Sequence, residues 1–203
     1  MKKIDLKKEL KHLYGPSSRE VVAVDVPAMN FLMIDGKGNP NTSEDYRQAL
    51  EALYGLSFTL KFMLKKGKNP VDYGVMPLEG LWWSDSMDNF LLGKRDEWKW
   101  TSMIMQPRYV TKNLFELACE EVKEKKNPAA LSRIRFEAYA EGMSAQIMHI
   151  GPYSAEAPII QKIHHFIFDG GHSLHGRHHE IYLGDPRKSA PEKLKTVIRQ
   201  PFR

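Results

Sequence analysis

The sequence predicts an α+β fold of duplicated β-α-β-β units with pseudo-twofold symmetry, antiparallel sheets, helices on one side and a ligand cleft between the halves. Two observations favour this fold class. Each half contains an amphipathic helix followed by two extended segments. Both halves also end on segments of similar sequence, at 101–107 and 196–201. The first unit spans about 20–107 and the second about 132–203, within a single domain of residues 1–203.

The first half opens with a short docking helix at residues 4–13, where leucines recur at helical spacing. Ser43 can cap a second helix of about 22 residues, because Glu44 and Asp45 follow it in the first turn and Gly67 ends it. The extended segments of this half are 21–34, with a kink at Pro27, then 73–84 and 98–106, joined by a polar stretch. The half therefore has the order β-α-β-β.

A helix at about 110–126, capped by Thr111, links this half to the second. The second half opens with a predicted hairpin, in which strands 133–140 and 144–150 meet across Glu141 and Gly142. Its remaining elements repeat the first half and are a helix capped by Ser154 and ended by Gly170, a strand at 178–183 and a strand at 196–201.

The composition indicates a globular chain with neither a nucleic-acid nor a membrane partner. Of the 203 residues 42% are hydrophobic, and 30 Lys and Arg stand against 25 Asp and Glu, for a net charge of +5. The basic residues alternate with acidic ones, as in 121–126, which is typical of solvated helix faces. Cys119 is a single cysteine, and we recognise no signal peptide or membrane span. We therefore expect a cytoplasmic protein, either a monomer or a homodimer.

Two glutamates are the candidate catalytic residues. Glu79 lies within the apolar segment 75–83, and Glu180 occupies the equivalent strand of the second half. A carboxylate is costly to bury without partners, and a buried carboxylate is suited to general acid or base chemistry. In a pseudo-twofold arrangement both could project into one cleft between the halves. The alternative interpretation is that each glutamate only anchors a loop or pairs with a surface lysine.

Aromatic side chains are dense near both glutamates. All four tryptophans fall within 82–100, and strand alternation places two of them on one face, where they could wall a cleft or pack as ordinary core. The predicted ligand-binding side chains are Trp83, Trp98, Trp100, Tyr153, His178 and Tyr182. Large rigid rings of this kind suit a flat, hydrophobic or aromatic small molecule, with cationic guests as a further class.

A group of histidines raises the question of a zinc site. His172, His175 and His178 follow at three-residue steps, in a glycine-rich stretch that is a poor rigid platform. Cys119 lies far away in the predicted linking helix, so no thiolate completes a ligand set. We predict no metal site, and we find no phosphate loop, dinucleotide fingerprint or nucleophile elbow that would indicate a cofactor or another catalytic class.

Four motifs in order resemble a known family. They are VPAMNFLMIDGKG at 26–38, PLEGLWW at 77–83, HIGPY at 149–153 and HEIYL at 179–183. On these motifs the chain resembles GyrI-like small-molecule-binding proteins, in their stand-alone bacterial branch rather than the branch fused to a helix-turn-helix regulator. The resemblance covers most of the chain, from about residue 5. It implies a duplicated β-α-β-β fold with a ligand cleft between the halves and an acidic residue at the base of the cleft.

The resemblance also implies two alternative activities. Some members of this branch are cyclopropanoid cyclopropyl hydrolases, which add water to the strained ring of DNA-alkylating compounds. In that case Glu79 or Glu180 would activate the water, and the other carboxyl or Tyr182 would support the developing phenolate. Trp83, Trp100 and Tyr153 would clamp the planar compound. The alternative is a non-enzymatic protein that binds or sequesters drugs or cations, and the resemblance leaves both open.

Overall fold

A computed structural model describes residues 3–85 and 95–203. The polar stretch predicted between the extended segments of the first half falls mainly on residues 86–94, which lie outside the described residues. The strands are β1 Val22–Val26, β2 Met29–Lys37, β3 Leu78–Trp83, β4 Lys99–Gln106, β5 Arg135–Tyr139, β6 Gly142–Ile150, β7 His178–Tyr182 and β8 Lys195–Pro201. The α-helices are α1 Leu6–Glu9, α2 Lys11–Tyr14, α3 Glu44–Lys66, α4 Lys112–Lys125 and α5 Ala157–Asp169.

The chain divides into two compact units. The first comprises Met1–Leu6, Met29–Met76 and Trp82–Tyr139, and the second comprises Lys7–Ala28, Pro77–Leu81 and Ala140–Arg203. The order β2-α3-β3-β4 recurs as β6-α5-β7-β8, and the pairs of neighbouring strands are antiparallel. The α+β fold class of duplicated β-α-β-β order is therefore confirmed. The unit boundaries 20–107 and 132–203 stay a prediction.

In the first unit β2 is the central strand, with β4 and β5 as its antiparallel neighbours. Ser43 caps α3 through its side-chain oxygen, which accepts a hydrogen bond from the backbone N–H of Tyr46, as the sequence predicts. The buried face of α3 carries small and aliphatic side chains at three- and four-residue steps, namely Ala49, Ala52, Leu53, Leu56 and Leu60. These side chains pack α3 against β2, β4 and α4.

In the second unit β6 lies between β1 and β8, and β7 pairs with the other edge of β8. The first residues of β3 belong to this unit and neighbour β7. Helix α5 packs on β6 and β8 through Ile163 and Ile167, which meet Ala145, Ile147 and Ile198 in a buried apolar cluster. Gly170 follows the end of α5, and Gly171 has a φ of +77°, so the predicted end of this helix is confirmed.

Two predicted strand arrangements are wrong. The segment 21–34 is not one kinked strand: β1 pairs with β6, whereas β2 pairs with β4 and β5. Pro27 lacks an N–H group, and the break between the two strands falls at this residue. The hairpin across Glu141 is also wrong, because β5 pairs with β2 while β6 pairs with β1 and β8.

Three smaller predictions need correction. The helix at 4–13 is two short helices separated by Leu10, and the extended segment 73–84 forms a strand only from Leu78. Ser154 does not cap α5, because Tyr153–Ala155 forms a single 3-10 turn and Glu156 takes the N-cap position. No helix in the described ranges is long and apolar enough to cross a membrane.

Candidate functional site

Strand β7 separates two groups of polar side chains in the second unit. Because successive residues of a strand point to opposite faces, His178, Glu180 and Tyr182 lie on one face and His179 lies on the other. On each face, buried glutamates and their hydrogen-bond partners form a separate group of side chains. We call them the open cluster, which consists of Tyr153, Glu156, His178, Glu180, Tyr182 and Thr196, and the closed network, which consists of Tyr14, Glu79, Glu141, Gln146, His179 and Arg199.

Glu180 is the centre of the open cluster. Its Oε1 lies 3.1 Å from His178 Nε2, and its Oε2 accepts a 2.7 Å hydrogen bond from the Tyr182 hydroxyl. Burial alone would raise the pKa of Glu180, but the contact with His178 and the hydrogen bond from Tyr182 outweigh it and lower the pKa. The side chain keeps 15% of its surface exposed. Glu180 is therefore an ionised carboxylate that solvent or a ligand can still reach.

Glu156 is the second carboxyl group of the open cluster. Burial and then the negative charge of Glu180 raise its pKa to about 9, although the nearby Thr196 hydroxyl acts in the opposite direction. Only 4% of the residue is exposed. Glu156 is consequently protonated at neutral pH while Glu180 is ionised, so the pair contains one acid and one base.

An aromatic pair borders these carboxyl groups. Tyr153, in the 3-10 turn before α5, meets Tyr182 edge to face with ring centroids 5.6 Å apart. Tyr153 is 37% exposed, so one face of the pair is accessible. His149 fixes the start of this turn, because its Nε2 lies 3.1 Å from the carbonyl oxygen of Pro152. The open cluster thus offers a carboxylate, a carboxylic acid and an accessible aromatic surface within one unit.

The closed network lies on the other face of β7 and is saturated with hydrogen bonds. Glu79 accepts from the Tyr14 hydroxyl at 2.7 Å through Oε1, and its Oε2 lies 3.0 Å from His179 Nε2. The Nδ1 atom of His179 lies 3.0 Å from both carboxylate oxygens of Glu141. Arg199 Nη1 donates to Glu141 Oε2 at 3.1 Å. Every oxygen of the two carboxylates therefore has a partner.

Arg199 also connects the closed network to helix α2. Its Nη2 donates to the backbone carbonyl of Leu13 at 2.7 Å, and its Nε donates to Gln146 Oε1 at 3.0 Å. The side-chain amide of Gln146 donates in turn to the carbonyl of His12 at 2.6 Å. These bonds satisfy carbonyl groups at the end of α2 that have no partner within so short a helix. The closed network therefore holds α2 in place.

The charges of the closed network compensate one another. Burial alone would lower the pKa of His179, but the carboxylates of Glu141 and then Glu79 outweigh it and raise the pKa to about 9. Burial alone would raise the pKa of Glu141, but His179 and then Arg199 lower it. Burial and then the charge of Glu79 raise the pKa of the Tyr14 hydroxyl well above its ordinary value. Two acidic and two basic side chains are thus paired within the closed network.

The two predicted catalytic glutamates do not meet in one group. Glu79 contacts His179, and Glu180 contacts His178 and Tyr182 on the opposite face of the same strand. The prediction that their side chains converge is wrong for this reason. The sequence placed His178, Glu180 and Tyr182 on one face correctly, and Glu79 is fully buried. The catalytic roles of Glu79 and Glu180 stay a prediction.

The predicted tryptophans lie in the first unit. Trp100 is fully buried, meets Tyr46 edge to face at 5.0 Å, and lies so close to Gly36 that a Cβ atom there would overlap its ring. Trp98 and Trp83 are half-buried. A ligand could reach the Trp100 ring only by displacing its neighbours, so this side chain has the surroundings of a core residue. The ligand contacts of all three tryptophans stay a prediction.

Four members of the open cluster and the closed network were not predicted from the sequence. Glu156 precedes an Ala-Pro pair and looks like a helix start, and Glu141 looks like a turn residue. Tyr14 gives no signal of its own. Arg199 could have been found, because a charged residue that directly follows the apolar Val197 and Ile198 inside a strand is the same signal that identifies Glu79. Within the described ranges, no three His, Cys, Asp or Glu side chains are arranged to hold a metal ion.

Comparisons with known proteins identify the family of the chain. The model of the GyrI-like small molecule binding domain matches residues 19–203. An uncharacterized conserved protein from Listeria innocua is 42% identical with a TM-score of 0.91, over 98% of this chain and 100% of that chain. A hydrolase from Listeria innocua is 41% identical with a TM-score of 0.86, over the same shares.

A more distant structure shares the fold alone. The EcmrR C-terminal domain is 11% identical with a TM-score of 0.55, over 91% of this chain and 97% of that chain. No curated protein sequence matches the chain. The family match covers most of the chain, including the whole open cluster and every member of the closed network except Tyr14. The chain belongs to the family of GyrI-like small molecule binding domains.

Proposed function

We propose that this protein binds hydrophobic or aromatic small molecules at the open cluster and hydrolyses the cyclopropane ring of DNA-alkylating cyclopropanoid compounds, which would detoxify them. Membership of a small-molecule-binding family supports the binding. A 41% identical relative described as a hydrolase supports the hydrolysis. The open cluster is the better candidate for the site because Glu180 and Tyr153 are partly exposed, whereas both carboxylates of the closed network are buried.

The single observation that carries the proposal is the ionised Glu180 beside an accessible aromatic pair. In the reaction, Glu180 removes a proton from water while the water oxygen attacks a carbon of the ring. The C–O bond forms as the strained C–C bond breaks. The released electron pair moves into the conjugated dienone, whose carbonyl oxygen becomes a phenolate and then takes up a proton. The net change is the addition of one water molecule.

Little rate enhancement is required of the protein for this reaction. The ring is already activated by strain and by conjugation, so orientation of a water molecule next to a base contributes a large part of the acceleration. Tyr153 and Tyr182 provide the surface on which a planar compound can stack. His178 holds Glu180 in position from the same strand face. The contact between the two tyrosine rings and the contact between His178 and Glu180 are both present in the ligand-free protein.

A multiple-turnover incubation with a cyclopropane-bearing DNA alkylator, followed by mass spectrometry, tests the proposal. We expect the wild type to produce a compound heavier by one water, and we expect Glu180→Gln to lose this activity by at least about a hundredfold. Glu79→Gln is tested beside Glu180→Gln, because Glu79 is the other glutamate that the sequence predicts as the catalytic base. Intact compound after incubation with folded wild type would overturn the hydrolase proposal.

A second candidate function is the binding of cations without turnover. The ionised Glu180 lies beside the rings of Tyr153 and Tyr182, and a carboxylate with aromatic faces is suited to an organic cation. In this case the incubation would return the compound unchanged. Retention of a lipophilic cation by wild type, lost in Glu180→Gln, would then support a binding protein over a hydrolase.

A further inference from the structure

Glu156 occupies a helix N-cap position without serving as a cap. Its side chain makes no capping hydrogen bond to the first turn of α5, and its backbone is helical, with φ −79° and ψ −21°, rather than extended as in most capping residues. Instead the residue is 4% exposed, and its Oε1 has no hydrogen-bond partner in the part of the chain that the structure describes. A buried carboxyl oxygen without a partner is costly, and such exceptions are concentrated at functional sites.

The neighbour of Glu156 on β8 has the same property. Thr196 is fully buried, and its hydroxyl lies near the Glu156 carboxyl group without reaching hydrogen-bond geometry with it or with any other group in residues 3–85 and 95–203. Glu156 lies beside Glu180, whose own oxygens are occupied by His178 and Tyr182, and Thr196 is paired with Tyr182 across β7 and β8. The open cluster therefore contains one carboxylate with fixed orientation and, next to it, one carboxyl group and one hydroxyl with hydrogen-bonding capacity to spare.

We propose that Glu156 is a second catalytic residue, the general acid that protonates the phenolate oxygen released when the ring opens. This role rests on the proposed hydrolysis and extends it, because the base Glu180 accounts for only one of the two proton transfers. Thr196 supports the role as a positioning residue, because its hydroxyl can donate to the carboxylate that Glu156 becomes after it has given up its proton.

Glu180 and Glu156 together account for both proton transfers of the reaction. Glu180 takes one proton from the attacking water, and Glu156 gives one proton to the phenolate oxygen, so the product gains the elements of water. After the reaction Glu180 carries a proton and Glu156 does not. Transfer of that proton from Glu180 to Glu156 restores the starting state. Two neighbouring carboxyl groups that share one proton are suited to this exchange, because their like charges disfavour ionisation of both.

The test uses a series of simple spirocyclopropyl cyclohexadienones whose product phenols differ in pKa through ring substituents. Glu156→Gln keeps the shape and the neutral charge of the protonated side chain and removes only the transferable proton. We expect kcat to fall by about 10²–10⁴ for the compound that yields the least acidic phenol. The loss should shrink to less than about tenfold for the most acidic phenol, which needs no acid to leave.

Two further variants keep the result interpretable. Glu156→Asp retains a carboxylic acid and should keep the weak dependence on phenol pKa that the wild type has, even at a reduced rate. Glu192→Gln removes an exposed carboxylate from the same unit and should change nothing. An infrared difference spectrum of free wild type against Glu156→Gln at pH 7 should contain the band of a protonated carboxylic acid.

The outcomes separate this inference from the proposed function. Turnover by wild type together with an equal loss for every phenol in Glu156→Gln would overturn the acid role and leave the hydrolysis intact. Absence of the carboxylic acid band would overturn it as well. No turnover of any compound by wild type would overturn the hydrolysis itself, and the acid role would fall with it.

Discussion

The two faces of β7 carry acidic groups of similar composition and opposite character. In the closed network both carboxylates use both oxygens, and the basic partners His179 and Arg199 are 1% exposed. In the open cluster Glu156 Oε1 and Thr196 Oγ1 have no hydrogen-bond partner among the described residues. Both faces therefore contain a carboxyl group that is almost completely buried, but only the closed network gives every carboxylate oxygen a hydrogen-bond partner.

We interpret this difference as that between a structural group and the proposed ligand site. A network that is complete in the folded protein has no capacity left for a ligand, and its energy goes into holding α2 and the strands together. A cluster with unsatisfied groups and like charges lowers stability, and proteins retain such groups mainly where they serve chemistry. Adjacent residues, His179 and Glu180, thus belong to different functions because one strand alternates its side chains between two faces.

The largest expected effect is the loss of stability when the closed network is opened. Arg199→Met should reduce the free energy of unfolding by about 3–5 kcal/mol, because it leaves Glu141 with one cation fewer in a buried site. Urea unfolding measures this value. Arg187→Met is the matched control, since Arg187 is an exposed partner of Asp185 and should cost less than about 1 kcal/mol. Equal losses in the two variants would contradict the structural role.

The second expected effect concerns the pH dependence that the open cluster imposes. The pKa of Glu156 is raised to about 9 in the folded protein, so its contribution to stability is full below the pKa of the unfolded chain, near 4.3. That contribution is lost as the pH rises through about 9. Between pH 5 and pH 8 the wild type should lose up to about 4 kcal/mol relative to Glu156→Gln, from three pH units at 1.36 kcal/mol each.

Urea unfolding of both proteins at several pH values measures this difference. Other titrating groups, including His179, are common to both proteins and cancel in the comparison. Glu192→Gln, which changes an exposed glutamate, should follow the wild type at every pH. Parallel stability curves for wild type and Glu156→Gln would show that Glu156 is ionised in the folded state, and the contrast between the two faces of β7 would be lost.

The sequence predicts local structure well and long-range pairing poorly in this protein. The capped helix α3, the linking helix α4 and the shared face of Glu180 and Tyr182 follow from local spacing, and all are present. The hairpin across Glu141 fails because strand pairing depends on partners distant in sequence, and β6 pairs with β1 and β8. Glu156 was not predicted as a site residue, because its burial also depends on residues distant in sequence, namely those of β7 and β8.

The third expected effect compares the two tyrosine hydroxyls that donate to glutamates. Tyr14 donates to Glu79 and Tyr182 donates to Glu180, both at 2.7 Å. Tyr14→Phe should cost about 1.5–3 kcal/mol, because it leaves an oxygen of a fully buried carboxylate without a donor. Tyr182→Phe should cost less than about 1 kcal/mol, because Glu180 is partly exposed and water can replace the hydroxyl. Thermal or urea unfolding of both variants measures these costs. A larger cost for Tyr182→Phe than for Tyr14→Phe would contradict the interpretation of the closed network as the structural group.

The smallest expected effect compares two threonines at corresponding positions of the repeat, Thr101 in β4 and Thr196 in β8. Both are fully buried, but the Thr101 hydroxyl donates to Asp35 at 2.6 Å, whereas the Thr196 hydroxyl has no partner among the described residues. Thr101→Val should therefore cost about 1–2 kcal/mol. Thr196→Val should change stability by no more than about 0.5 kcal/mol, because it removes an unsatisfied hydroxyl and keeps the volume. A cost for Thr196→Val as large as that for Thr101→Val would mean that the hydroxyl is already bonded in the folded protein, and Thr196 could not then be free to assist Glu156.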